Sequence, residues 1–202
     1  MKINLTKQSG IYTLTSEQKL PISLEKAWEF FTLPTNLDRI TPKEMQFEIT
    51  NNPSAKTYLG QIITYKIGIL PFIKSNWITE ITHFESPNKN DHKSSFFVDE
   101  QRFGPYAMWH HEHHFQKISD REVLMTDIVN FKLPFGILGD LLAGNYVRNK
   151  VKFIFESRFK ILENIFLETK KPPISLVIEV NRRRVEIFII LVYNKKLRER
   201  QI

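Results

Sequence analysis

The sequence predicts an α+β fold in which an antiparallel sheet is closed by one long helix. From Glu44 to Leu133 the chain reads as successive strands separated by short turn clusters, with no helix between them. Strands joined in this way form an antiparallel meander and not a parallel sheet. A pair of short helical segments precedes the meander, and a long amphipathic segment follows it.

The first elements are a strand and the helix pair. Ile11–Ile22 alternates apolar and polar side chains, which is typical of a half-buried strand. Ser23 occupies the N-cap position of the next helix. Pro34 ends that helix, because the residue before a proline resists helical geometry. One further helical turn is predicted for Asn36–Thr41.

The meander contains six predicted strands, separated by clusters of Asn, Pro, Ser and Gly. They are Met45–Thr50, Gly60–Leu70, Ser75–Glu85, Ser94–Arg102, Ala107–Ile118 and Glu122–Leu133. Residues of these four types favour turns, each through its own backbone preference.

Pro134 ends the sheet, and a long helix is predicted from there to about Leu167. Its apolar residues recur at three- and four-residue steps. They are Leu138, Leu141, Leu142, Val147, Val151, Ile154, Phe155, Ile161, Leu162 and Ile165. Because such a helix laid across a curved sheet leaves space between the layers, the architecture itself predicts an internal pocket.

Positive charge is concentrated at the C-terminal end. The net charge is +7, and residues 169–202 carry nine basic and three acidic groups, or +6 of that total. The nearly neutral remainder lacks the electrostatic footprint of a nucleic-acid-binding domain. We therefore predict a domain at 1–168 and a basic extension at 169–202, with no nucleic acid as partner.

The extension contains two apolar runs, Ile174–Val180 and Ile187–Tyr193. Three interpretations stay open: an added β-hairpin that caps the sheet edge, a poorly ordered segment, or a basic and apolar surface for peripheral membrane or partner contact. Neither run approaches the roughly 18 apolar residues that cross a bilayer, so no integral membrane segment is predicted.

Several classes of chemistry are disfavoured by what the sequence lacks. With no cysteine, the chain has no thiolate ligand or nucleophile, and a reducing cytoplasm suits it. The start of the chain lacks the apolar core of a signal peptide. Glycine-rich nucleotide loops, the serine-hydrolase elbow and the His-Glu-x-x-His zinc motif are also missing. The sequence therefore predicts a cytoplasmic protein with no cofactor and no metal.

The main candidate site is a predicted strand that contains four of the six histidines. Side chains alternate between the two faces of a strand. One face carries two aromatic rings and two imidazoles: Trp109, His111, His113 and Phe115. The other face is polar: His110, Glu112 and His114. The first set is typical of a partly polar pocket lining, and the second of a solvated outer surface.

Three interpretations of His111 and His113 stay open. They are core histidines satisfied by hydrogen bonds, polar groups that orient a ligand, or metal ligands with Asp99 or Asp127 as a third. Asp127 lies on the following strand, where a register slip of one residue would turn it away from His113. If the two meet, the carboxylate fixes the imidazole tautomer and raises the pKa of the histidine.

Three further residues are weaker candidates. Trp77 is either a core residue or a ligand platform, since a tryptophan buries a large area in both roles. Asp99 and Gln101 share a strand face with Phe97, which suits a pocket rim and equally an edge strand.

Three segments carry a resemblance to a known superfamily. They are Leu33-Pro34-x-Asn36-Leu37 through Thr41-Pro42; Phe97-x-Asp99-Glu100-Gln101-x-x-Gly104-Pro105-Tyr106-x-x-Trp109-x-His111-x-His113-x-Phe115; and Thr126-Asp127-x-Val129-x-Phe131-x-Leu133-Pro134-Phe135-Gly136-x-Leu138-Gly139. Together they resemble the ligand-binding branch of the SRPBCC superfamily, which includes START lipid-transfer domains, polyketide cyclases and birch-pollen-allergen-like proteins. The resemblance covers about residues 8–166.

The resemblance implies a helix-grip fold, in which a seven-stranded antiparallel sheet wraps around a long C-terminal helix. It also implies a deep cavity for a hydrophobic or amphipathic small molecule. It implies no particular reaction, because a fold does not fix a function.

We therefore expect non-enzymatic binding or transport of a lipid-like or polycyclic ligand. The predicted ligand-binding residues are Trp77, Asp99, Gln101, Trp109, His111, His113, Phe115 and Asp127. The alternative is a cyclase or dehydratase in which His111 or His113 acts as general acid or base. The sequence predicts neither the ligand nor the oligomeric state.

Overall fold

The computed structural model describes residues 2–51, 56–70, 73–87, 93–168, 176–180 and 187–191. Its large antiparallel sheet has eight strands: β1 (Lys2–Gln8), β2 (Ile11–Leu20), β3 (Glu48–Ile49), β4 (Ile62–Leu70), β5 (Ile73–Glu85), β6 (Ser94–Phe103), β7 (Met108–Ser119) and β8 (Glu122–Lys132). Their order across the sheet is β1-β2-β8-β7-β6-β5-β4-β3. The meander therefore closes onto β2, which places the histidine strand β7 near the middle of the sheet.

The described residues also form three α-helices: α1 (Leu24–Phe31), α2 (Asn36–Ile40) and α3 (Gly136–Glu168). The Ser23 hydroxyl accepts a hydrogen bond from the backbone N–H of Lys26, as expected of an N-cap. The α+β class and the helix-grip arrangement are confirmed.

The sheet has one strand more than the seven expected. β1 forms a hairpin with β2 through the residues Ser9 and Gly10, both of which have positive φ. Most of its side chains are exposed, so its sequence carries little of the apolar alternation that identifies a half-buried strand. The predicted strand at Met45–Thr50 shortens to β3, because a 3₁₀ turn occupies Lys43–Met45.

The register of three neighbouring strands brings the polar candidates together. His113 pairs with Asp127 across β7 and β8, and His111 pairs with Asp99 across β7 and β6. Directly paired residues of an antiparallel sheet project from the same face. The two carboxylates therefore stand on either side of the two imidazoles.

The two halves of α3 have different environments. From the middle of the helix onward, Val151, Phe155 and Leu162 are buried against apolar side chains of the sheet. In the N-terminal half, Leu138, Leu141 and Leu142 are exposed, and Leu141 reaches 80%. The apolar periodicity therefore predicted the helix but assigned these three leucines wrongly to its packed face.

The chain forms two units, Met1–Phe166 and Leu167–Ile202. In the second unit, β9 (Leu176–Val180) pairs antiparallel with β10 (Ile187–Leu191). That the extension caps the edge of the large sheet stays a prediction. Within the described ranges, no helix combines the length and the apolar character that crossing a membrane requires.

Candidate functional site

A cavity of about 330 Å³ lies between the sheet and α3 in the first unit. This volume falls at the lower end of the range of about 300–1,000 Å³ that is usual for small-molecule sites. Its lining is largely apolar, with a few polar groups from β5, β6, β7 and α3. The pocket that the architecture predicts is therefore present in the fold.

Aromatic rings form one continuous wall of the cavity. Trp77 stacks on Tyr65 with ring centroids 5.6 Å apart and meets Trp109 edge-on at 5.1 Å. Tyr106 contacts Trp109 at 4.9 Å. Burial raises the pKa of both phenols, Tyr65 and Tyr106, so these rings stay neutral. The wall therefore offers a largely apolar, aromatic surface to a ligand.

His111 and His113 lie side by side on the cavity wall, with ring centroids 3.7 Å apart. His113 Nε2 is 2.9 Å from Asp99 Oδ2, and His111 Nε2 is 3.1 Å from Asp127 Oδ1, both with hydrogen-bond geometry. His113 Nδ1 is also 3.1 Å from Asp127 Oδ1, but this nitrogen is not directed at the oxygen well enough for a hydrogen bond. Each carboxylate therefore contacts both imidazoles, since His111 Nδ1 lies 3.4 Å from Asp99 Oδ2.

The environments of the two histidines push their pKa values in opposite directions. Burial alone would lower the pKa of His113, but the contacts with Asp127 and Asp99 outweigh burial and raise it. Burial and the neighbouring charge of His113 lower the pKa of His111. A positive His113 beside a neutral His111 is the arrangement that this cluster favours.

Both carboxylates stay ionised. Burial alone would raise the pKa of Asp127, but the hydrogen bond from His111 and the close contact with His113 lower it well below its usual range. Burial acts on Asp99 in the same way, and the contacts with His111 and His113 and the positive charge of Arg158 lower its pKa. Thr79 donates a further hydrogen bond of 3.3 Å to Asp99 Oδ1.

Asp99, His111 and His113 could also hold a metal ion, because each offers one ligand atom within 4.8 Å of the others. Asp99 is thus the third ligand that the sequence left undefined. Of these residues, His113 and Asp99 already satisfy each other through the hydrogen bond between Nε2 and Oδ2. We interpret the cluster as a hydrogen-bonded one on this ground.

The opposite face of β7 carries exposed polar contacts. His110 Nδ1 lies 2.8 Å from Glu100 Oε1, and His114 Nε2 lies 2.9 Å from Glu112 Oε2. All four side chains remain partly accessible to solvent. This face forms no part of the cavity lining.

The predicted site residues separate into three groups. Those that line the cavity are Trp77, Asp99, Trp109, His111 and His113. Asp127 lies behind the histidines and contacts them without reaching the lining. Phe115 and Gln101 are placed elsewhere. Phe115 is 0% exposed and packs with Phe31 in the core.

Gln101 fixes the turn that follows β6 instead of facing the cavity. Its amide nitrogen donates to the carbonyl of Tyr106 at 2.7 Å, and its amide oxygen accepts from the N–H of Tyr106 at 3.2 Å. A Cβ at Gly104 would lie 2.4 Å from the Gln101 oxygen, so only glycine leaves room for this amide. Gln101 thereby positions Tyr106 in the aromatic wall.

Arg158 is the main lining residue that the sequence analysis missed. Its guanidinium lies over the Phe155 ring, with Cζ 4.9 Å from the centroid. The signal was present: Arg158 follows Phe155 by three positions and precedes Leu162 by four, which places it on the buried stripe of α3. Tyr65 of β4 and Tyr106 in the turn after β6 were also missed, because an isolated aromatic residue gives no sign of a ligand surface.

Comparison with known proteins gives a fold and no sequence family. No family model and no curated protein sequence matches the chain. Among solved structures, the chain is similar to the ZhuI aromatase/cyclase from Streptomyces sp. R1128, with a TM-score of 0.56, 11% identity, and coverage of 78% of this chain and 94% of that one. It is also similar to a START superfamily protein from Mycobacterium smegmatis, with a TM-score of 0.54, 10% identity, and coverage of 78% and 99%.

A third similar structure is norcoclaurine synthase from Thalictrum flavum, a point mutant solved with a transition-state analogue. Its TM-score is 0.54 at 10% identity, with coverage of 84% of this chain and 99% of that one. At such identities the likeness concerns the fold and not the activity. The eight-stranded sheet, the closing helix and these neighbours together show that the chain has a helix-grip fold.

Proposed function

We propose that this protein binds or transports a hydrophobic or amphipathic small molecule, held between the sheet and α3, without transforming it. The observation that carries the proposal is the apolar cavity of about 330 Å³ with its aromatic wall. Burial of apolar ligand surface contributes about 25 cal/mol per Å², which makes this lining the main source of affinity. A cytoplasmic location belongs to the same proposal and is supported by the lack of cysteine.

The polar cluster supplies orientation in this proposal. Buried polar groups are few in the lining, and they converge from β6 and β7. In small-molecule sites a small number of placed polar groups fixes the direction in which an apolar ligand enters. The imidazoles of His111 and His113 are therefore expected to contact the polar end or edge of the ligand.

The proposal is tested with an uncharged fluorescent probe, N-phenyl-1-naphthylamine, whose emission rises in apolar surroundings. We expect saturable binding at one site per chain. Native mass spectrometry of the freshly purified protein provides a second readout, in which a co-purified small molecule appears as a mass above that of the chain. Failure of the probe to bind, together with a bare chain mass from several expression conditions, would contradict the proposal.

A pair of neighbouring positions on α3 provides the matched control. Ile154 lines the cavity, whereas Phe153 is 40% exposed and does not. Ile154→Trp places a bulky ring in the cavity. It is expected to weaken probe binding at least about tenfold, because the ring fills space that the probe would occupy. Phe153→Trp adds the same ring on the outside and is expected to leave binding unchanged.

The alternative function is a cyclase- or dehydratase-type reaction with the histidine pair as acid and base. It is favoured by the contact of two imidazoles whose pKa values are shifted apart, because such pairs divide the roles of proton donor and acceptor. His113 would donate the proton and His111 would accept it. Both rings would have to lie about 3 Å from the reacting atoms.

His113→Gln separates the two functions. Glutamine keeps a hydrogen-bonding side chain but has no titrating proton. If a candidate substrate is turned over by the wild type, and His113→Gln abolishes turnover while the probe still binds, the protein is an enzyme. A protein that binds the substrate and returns it unchanged supports the binding function.

A further inference from the structure

The cavity wall contains hydrogen-bond donors that no described part of the protein satisfies. Nε and Nη1 of Arg158 and Nε1 of Trp77 are buried without a hydrogen-bond partner. Both side chains line the cavity, one from α3 and the other from β5. Buried donors in folded proteins nearly always have a partner, so these nitrogens need an explanation. Their position indicates an acceptor supplied from within the cavity.

The positive charge of Arg158 indicates the chemical class of the missing acceptor. A guanidinium is always protonated, and this one lies in a largely apolar lining with the Phe155 ring against it. The carboxylates of the histidine cluster, Asp99 and Asp127, already receive hydrogen bonds from His113, Thr79 and His111, and neither accepts one from Nε or Nη1 of Arg158. Nε and Nη1 together carry three N–H donors, which a carboxylate or phosphate group accepts with charge-assisted hydrogen bonds.

We propose that the ligand is an amphipathic oxyanion whose head group is bound by Arg158 and Trp77, while its apolar part lies against Tyr65 and Trp109. This inference rests on the proposed binding function and adds the chemical class of the ligand. A carboxylate and a phosphate share the required chemistry, and binding assays distinguish them. The histidine–carboxylate cluster then has a second role, because pairing Asp99 and Asp127 with imidazoles reduces their repulsion of the bound anion.

The test compares ligands that share a twelve-carbon chain and differ in head group. Dodecanoate, monododecyl phosphate, 1-dodecanol and dodecylamine are each titrated as competitors of N-phenyl-1-naphthylamine bound to the wild-type protein. We expect the preferred anion to bind at least about tenfold more tightly than the alcohol, as charge-assisted hydrogen bonds in a buried site imply. The order of dodecanoate and monododecyl phosphate identifies the head group.

Variants assign that preference to the two donors. Arg158→Met keeps length and apolar volume, and we expect it to remove the preference for the anion while binding of 1-dodecanol changes less than about twofold. Trp77→Phe keeps a ring but has no N–H, and a loss of about threefold for the anion is expected, as for one neutral hydrogen bond. Arg148→Met is the matched control, because Arg148 lies on α3 but does not line the cavity.

Each outcome decides between the two proposals. Equal affinity for the anions and 1-dodecanol in the wild type would overturn the oxyanion inference and leave the binding function intact. Tightest binding of dodecylamine would overturn it as well, since the carboxylates would then dominate recognition. If neither the probe nor any of the four dodecyl ligands binds, the proposed function and the inference are both wrong.

Discussion

The two faces of β7 carry histidines in equal number, but they have opposite surroundings. On the inner face, His111 and His113 are buried between two carboxylates and line the cavity. On the outer face, His110 and His114 contact glutamates that are partly exposed to solvent. The comparison shows that residue type and ion-pair partner alone do not make a site. Burial makes the difference, because water screens the partly exposed outer pairs more strongly than the buried inner ones.

The largest expected contrast comes from packing. Phe115 on the inner face of β7 is fully buried, whereas Ile118 on the same strand is 46% exposed. Phe115→Ala is expected to lower the free energy of unfolding by about 3–5 kcal/mol, because it leaves a cavity in the core. Ile118→Ala is expected to change it by less than about 0.5 kcal/mol. Urea denaturation measures both, and similar losses would break the contrast between the faces.

A smaller contrast is expected between the carboxylates. Asp127→Asn removes the charge that both inner imidazoles contact, and we expect a loss of about 1–3 kcal/mol in unfolding free energy. Glu112→Gln removes the corresponding charge from the outer histidines, where solvent screening leaves an effect within about 0.5 kcal/mol. Equal losses of unfolding free energy in the two variants, measured by denaturant titration, would show that the inner and outer charges are screened by solvent to the same extent.

The dependence of stability on pH sharpens the comparison further. The folded state raises the pKa of His113 above its ordinary value of 6.5. The stability that its protonation contributes is therefore fully present below pH 6.5 and is lost as the pH rises through the raised value. In His113→Gln, we expect no such loss of stability between pH 6.5 and the raised pKa. His114→Gln is expected to keep the loss, because His113 is intact.

Unfolding free energies at a series of pH values from 6 to 9 check this point. Asp99 and Asp127, whose pKa values are lowered, add stability that disappears only as the pH falls below about 4, well away from that window. If the profile of His113→Gln runs parallel to that of the wild type across the alkaline range, the raised pKa is wrong.

The sequence predicts the sheet and its inner face well, because both follow from alternation along a strand. Trp109, His111 and His113 share a face by parity alone, and the structure places all three on the cavity wall. Whether Asp127 meets His113 depended on the register of β7 and β8, which is fixed by turn length and not by composition. The sequence therefore left that contact open.

The helix was harder to interpret in detail. Leu138, Leu141 and Leu142 match the apolar period of α3 yet are exposed, since periodicity reports a helix and not what packs against it. Arg158 shows the opposite error: it lies on the packed stripe of α3, but it was overlooked because a charged residue is expected to face solvent. Both errors show that the apolar pattern of a helix does not by itself reveal which of its positions are buried.

The most direct test of the account follows the histidine side chains during ligand binding. In ¹⁵N-labelled protein, each imidazole gives its own NMR correlations, which His→Gln variants assign. On addition of N-phenyl-1-naphthylamine, the account predicts that the ring signals of His111 and His113 shift with the same saturation curve as the fluorescence, while those of His110 and His114 stay in place. Shifts confined to His110 and His114, or probe binding with no change at any of the four rings, would contradict the claim that the inner face of β7 forms the wall of a ligand site.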